Sequence, residues 1–146
     1  MKKTEHALYR DIIDGAAAED WLLFRIQDTD RARNPFDLGG AAPDGRAAGV
    51  EVKVLDVLRT TVTDLDQLDL RAQQRNWLVA YAAKGAHALV LCHRPATDDL
   101  LVARVYAHRT RTGDVGRWEV RSTSLGTTRV LTRVDGLFRG WRDIKG

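Results

Sequence analysis

The chain is poor in the residues that staple or interrupt a small fold: its 146 residues include one cysteine, three prolines and one methionine. A lone Cys92 excludes an internal disulfide framework and a thiolate zinc site, and it suits a reducing cytoplasm. No apolar run reaches the roughly 18 residues that a transmembrane helix needs. Lys2 and Lys3 are followed by Glu5, His6, Arg10 and Asp11 rather than by an apolar stretch, so no secretory signal is expected and the chain reads as cytoplasmic. P-loop and dinucleotide glycine patterns are absent, which argues against ATP- or NAD-driven chemistry. His6, His87, His93 and His108 lack the spacing of a metal site, and Ser122 and Ser124 lack a Gly-x-Ser-x-Gly context.

What remains is an ordinary globular composition, 44% hydrophobic and 29% charged. A chain of this length buries roughly 70% of its unfolded surface, so residues 1–146 are expected to form a single domain. The net charge of +3 is unevenly spread. Residues 1–100 hold 13 Lys and Arg against 16 Asp and Glu, a net of −3, and residues 101–146 hold 10 against 4, a net of +6. An acidic first part and a basic tail point to a polyanionic partner and a separate use for carboxylates.

Apolar spacing organises the chain. Thr4 can cap a helix running to about Asp14, with Leu8, Ile12 and Ala16 on one stripe and Gly15 near its end. Residues 21–26 (WLLFRI) read as a buried strand, with a helix starting at Ala16 as the alternative. Residues 36–40 and 49–55 read as two strands joined by the turn Pro43-Asp44-Gly45, hence a hairpin. From Asp64 to Lys84 the pattern is helical, with Leu70, Trp77, Leu78 and Tyr81 on a stripe, Gln67 reaching back to an Asp64 cap, and Gly85 as a stop. Residues 86–92 and 100–106 are further strands. Residues 117–122 and 128–134 alternate weakly. The order predicts an α/β fold with a mixed central sheet flanked by helices.

Chemistry concentrates in Val50-Glu51-Val52-Lys53. Alternation puts Glu51 and Lys53 on one face of a strand and the valines on the other. Folding the hairpin about residues 43–45 brings Asp37 opposite Glu51. Two adjacent carboxylates repel unless positive charge lies between them. Lys53 supplies one such charge, and a hard divalent cation, Mg2+ or Mn2+, supplies the rest, with the Val52 carbonyl as a further ligand. Two polar residues interrupt apolar helical stripes: Glu5, three before Leu8, and Gln74, four after Leu70. Each calls for a polar partner.

The ordered set resembles the PD-(D/E)xK nuclease superfamily, the restriction-endonuclease-like fold. The resemblance rests on Asp37 in PFDLGG, Glu51 and Lys53 in GVEVKVL, Glu5 in TEHALYRDII, and Gln74 in QRNWL followed by KGAHALVLC. Its intervals are similar to those of archaeal-type Holliday junction resolvases and virus-type replication-repair nuclease domains. The match spans about residues 3–94, leaving a basic C-terminal extension from about 100 to 146 that fits no family pattern. The literal Pro-Asp is Pro43-Asp44. Asp37 is preferred as the strand carboxylate, since Asp44 suits the hairpin tip, and Asp44 remains the alternative.

The resemblance implies an αβββαβ core and a Mg2+-dependent (or Mn2+-dependent) structure-selective DNA endonuclease of phage or prokaryotic type, most similar to a resolvase cutting four-way junctions symmetrically as a homodimer. Related nucleases acting on flaps, single strands or ends, and a non-catalytic nucleic-acid-binding module, are the other readings. Glu5, Asp37 and Glu51 would hold metal, Lys53 would serve the nucleophile, and Gln74 would position it. Arg25, Arg31, Arg33, Arg109, Arg111, Arg117, Arg129 and Arg133 are the expected backbone grip on DNA. Trp118, Phe138 and Trp141 offer apolar surface for a dimer or a core.

Overall fold

The computed structural model describes residues 5–26, 36–54, 65–96, 99–109, 111–112 and 115–127. Helix α1 (Glu5–Ala18) buries Leu8, Ile12 and Ala16, the stripe that its spacing anticipates. It runs through Gly15 to Ala18, and the turn after it places Asp20 in the left-handed region (φ 67°) while Trp21 N–H donates to the Ala16 carbonyl at 2.9 Å. Glycine inside a helix costs about 1 kcal/mol relative to alanine, but the packing of Ala16 one residue later carries the helix past it. Strand β1 (Leu22–Arg25) follows directly, so no second helix begins at Ala16.

Strands β2 (Leu38–Ala41) and β3 (Ala47–Val54) form the anticipated hairpin, with Leu38 opposite Val50. Gly45, at φ +82°, completes the turn by donating to the Ala42 carbonyl at 2.9 Å. The helix expected over residues 64–84 is divided. A 3-10 turn over Leu65–Leu68 is followed by Asp69 at φ 52°, and helix α2 spans only Ala72–Ala83. Leu65 and Leu68, both fully buried, satisfy a helical spacing and a tighter turn equally well, so periodicity alone hides the break. The Asp64 cap lies outside the described residues. Instead Gln74 Oε1 accepts from Arg71 N–H at 3.0 Å and caps the shorter helix. Leu78 is buried as expected, but Trp77 is 40% exposed and leaves the apolar stripe. Gly85 ends the helix as its position suggests.

Strands β4 (His87–Arg94), β5 (Asp99–Arg109) and β6 (Val115–Thr127) are the remaining elements among the described residues. The six strands lie in sequence order in one mixed sheet, antiparallel throughout except for the parallel pair β3–β4 that α2 connects. β4 is buried on both faces from His87 to His93, as a near-continuous apolar run requires. Half of the basic extension is thus ordinary sheet, with β6 longer than the weak alternation over 117–122 indicated. The strand expected over 128–134 lies outside the described residues, as do Phe138 and Trp141.

Each helix covers one face. α1 packs with Trp21, Val50, Leu89, Leu91 and Val102, and α2 with Leu65, Leu68, Val90, Cys92 and Leu101. The result is an α/β protein with a helix on either side of a six-stranded sheet. Among the described residues no helix is long and apolar enough to cross a membrane.

Candidate active site

The register of the hairpin builds the site. Because Leu38 faces Val50, the residue before it, Asp37, falls opposite Glu51. Side-chain alternation turns Glu51 and Lys53 toward α2, on the row that pairs with Val90 and Cys92 in β4. Asp37 is fixed by its backbone neighbour, for Val52 N–H donates to Asp37 Oδ2 at 2.8 Å. Glu51 is only 4% exposed. Gln74 Nε2 donates to Glu51 Oε1 at 2.7 Å, and Lys53 Nζ stands 4.0 Å from the same oxygen. Four of the residues singled out by sequence therefore meet: Asp37, Glu51, Lys53 and Gln74.

The electrostatics of the site are dominated by Glu51. Burial, and then the neighbouring Asp37 carboxylate, push its carboxyl up to about 8, against the opposing pull of Lys53 and Arg71. Its second oxygen, Oε2, is buried and has no hydrogen-bond partner among the described residues. A buried carboxylate with one oxygen held and the other unsatisfied, beside a second carboxylate, is a donor set suited to a cation. No group of three or more His, Cys, Asp or Glu side chains gathers among the described residues, so the pair stands without a third protein carboxylate there. No known family model and no curated protein matches the chain.

Glu5 opens α1, but its side chain lies outside the described residues, and α1 packs on the face of the sheet opposite Glu51. Of the two helical residues expected at the site, Gln74 is the one whose side chain is described, and it reaches Glu51. Asp44 lies apart from Glu51. It sits at the hairpin tip, accepts from Arg46 N–H at 2.9 Å, and lies 2.9 Å from Nε2 of His87, which is buried against Trp21. His87 is aligned with Ala48, three residues from Glu51 along β3 and on the other face of the sheet. His87 is a core residue with a partner.

Among the arginines expected to grip DNA, the side chains of Arg25 and Arg111 are described. Arg25 is exposed, but it lies on the α1 face with its guanidinium 4.7 Å over the Tyr9 ring, turned away from the carboxylates. Arg104, in the basic segment, is largely buried and stacks on Tyr106 at 4.5 Å, so it is packing rather than free positive surface. Arg111 is exposed after β5. Arg109 and Arg117 lie on β5 and β6, and their side chains are outside the described residues, as are Arg31, Arg33, Arg129 and Arg133 altogether. β6 is three strands from β3, roughly 14 Å at the usual strand spacing. The residue missed by the motif reading is Arg71, whose charge acts on Glu51. Its position three before Gln74, on the same side of the helix start, was the available signal.

Proposed function

We propose that this protein is a divalent-metal-dependent DNA endonuclease of the PD-(D/E)xK type, acting on branched DNA such as a four-way junction. The observation that carries the reading is the opposition of Asp37 and Glu51 across the hairpin, with Lys53 on the same face. The element order α1, β1, β2, β3, α2, β4 supports it, being that of a restriction-endonuclease-like core.

Asp37, Glu51 and the Val52 carbonyl would hold the cation, Mg2+ or Mn2+. When bound, it supplies an acidified water and a polarised phosphate. The protein's own residues do the rest. Val52 N–H and Gln74 Nε2 each pin one carboxylate oxygen, so the two carboxylates keep their spacing while a charged substrate enters. Lys53, half-buried beside Glu51, offsets charge developing on the phosphate oxygens and takes part in orienting the attacking water. Arg71 adds positive charge at the mouth. Recognition through phosphates rather than base edges agrees with the absence of a base-reading motif, and binding should weaken steeply with salt.

A magnesium titration with a synthetic four-way junction, a flap and a linear duplex tests the reading. Paired symmetric cuts in the junction are expected, and they would also imply a homodimer. Glu51→Ala and Lys53→Ala should abolish cleavage while preserving DNA affinity. Undiminished cleavage by both variants, or binding with no metal-dependent cleavage of any substrate, refutes it.

A further inference from the structure

The row of the sheet next to Asp37 and Glu51 is paved with rings. A Cβ on Gly49 would lie 2.7 Å from the Phe36 ring, so that ring rests flat on the glycine backbone. A Cβ on Gly39 would meet Ile26 at 3.0 Å and the tip of the Phe24 ring at 3.8 Å. Phe36 continues onto Tyr81 of α2, with ring centroids 5.0 Å apart. Phe36 is buried and Tyr81 half-buried, and together they close the core beneath α2.

Phe24 and Trp77 do something different, being 56% and 40% exposed. Phe24 is opposite Gly39, which makes Asp37 its diagonal neighbour, about 7–8 Å away and within reach of an aromatic side chain. Trp77 is one helical turn from Gln74, which holds Glu51, and one turn from Tyr81, which holds Phe36. It therefore stands on the rim of α2 that overlooks the carboxylates. Two exposed aromatics thus flank a site whose cations are Lys53 and Arg71. Cations beside rings match a nucleic-acid strand with its bases turned out: phosphates meet the charges, and each base presents a face to a ring. A stacked duplex hides those faces and gains nothing from the rings.

We infer that Phe24 and Trp77 form a stacking platform for unstacked bases of a single DNA strand beside the phosphate bound at Asp37 and Glu51. The inference takes its location from the nuclease reading and narrows the substrate to DNA with unpaired or readily unstacked nucleotides at the cut. Continuity with the carboxylate site and the charge of Lys53 and Arg71 select this occupant.

The test is fluorescence anisotropy with the full chain and no divalent metal. A labelled thymidine strand of about twelve nucleotides is compared with a strand of equal length lacking bases, at matched salt. The wild type should bind the thymidine strand about tenfold more tightly or better. The double variant Phe24→Ala, Trp77→Ala should lose that preference with its affinity for the baseless strand unchanged. Trp77→Phe alone should keep it. Both side chains are exposed, so folding is checked simply by circular dichroism. Equal binding of the two strands by the wild type, or a preference that survives in the double variant, overturns the platform. So does a dimer that dissociates in the double variant with the preference intact, which assigns the surface to a second copy of the chain. Base preference without metal-dependent cleavage overturns the nuclease reading alone, and metal-dependent cleavage without base preference overturns the platform alone.

Discussion

Gln74 Nε2 donates to Glu51 Oε1 at 2.7 Å, while Gln74 Oε1 accepts from Arg71 N–H at 3.0 Å. One amide therefore caps α2 and holds the central carboxylate of β3. Both ends are used, so the amide's orientation is set by two partners at once. The start of α2 and the carboxylate site are mechanically one unit.

Replacing Gln74 with alanine should damage both functions of that amide. Gln74→Ala frees Glu51 Oε1 and removes the cap, and loss of such a supporting contact costs roughly 10- to 100-fold in metal affinity or activity. Cleavage rates measured across a magnesium titration should show a raised metal requirement. Gln74→Glu should spare the cap, since its carboxylate still accepts from Arg71 N–H, and lose only the donor to Glu51. Rates unchanged in both variants would contradict the positioning role.

Stability of the metal-free protein should fall as pH rises from 4.5 toward 8. Glu51 titrates at its ordinary 4.5 when unfolded and at about 8 when folded. Between those values the folded state holds a proton that the unfolded state has lost, so raising the pH favours unfolding. The penalty is complete above about 8, where it reaches on the order of a few kcal/mol. Glu51→Gln removes it. Urea unfolding in chelator should find the variant more stable than wild type at pH 8 and the two converging near pH 4.5. Parallel curves across that window would count against the buried, protonated Glu51.

Metal binding should release a proton. Below about pH 8 the metal-free Glu51 carboxyl is mostly protonated, and a cation ligand must be ionised. Calorimetry of magnesium binding near neutrality, repeated in buffers of different ionisation enthalpy, should report about one proton released per site. Glu51→Gln should abolish that release. Binding heats independent of buffer would exclude Glu51 as the ligand that titrates.

Asp37 and Asp44 should separate cleanly. Asp44→Ala leaves buried His87 without its carboxylate partner and should cost about 1–2 kcal/mol in urea unfolding, with cleavage unaffected. Asp37→Ala should abolish cleavage. Burial pulls His87 below its ordinary 6.5, against the pull of Asp44. Its contribution to stability is therefore full above 6.5 and is lost as pH falls below that value. Loss of cleavage in Asp44→Ala together with retention in Asp37→Ala would reverse the assignment.

The hairpin was legible because its determinants are local. Pro43-Asp44-Gly45 marks the turn, and counting residues outward from it places Asp37 opposite Glu51. A side-chain period of two then sends Glu51 and Lys53 to one face. The stripe of α1 was legible for the same reason. The break at Asp69 was not, because the buried Leu65 and Leu68 fit two backbone shapes, and only packing against the sheet chose between them. Trp77 fell on an anticipated apolar stripe yet stays part-exposed at the rim of α2, since the sheet covers mainly the side that carries Leu78. The basic tail was a sum over residues, and a sum carries no direction: Arg104, within it, is buried. Arg25, outside the tail, lies on the opposite face from the carboxylates.

Local patterning thus sufficed for the α/β class, for the hairpin and its register, and for the Asp37, Glu51 and Lys53 set, because alternation and turn geometry act over a few residues. Long-range packing decided that α1 lies behind the site, that Gln74 is bonded to Glu51, and that Phe24 and Trp77 remain exposed beside it. It also decided the charge state of Glu51. Burial under elements from distant parts of the chain is the larger cause that lifts its carboxyl to about 8, and the hairpin neighbour Asp37 adds to it.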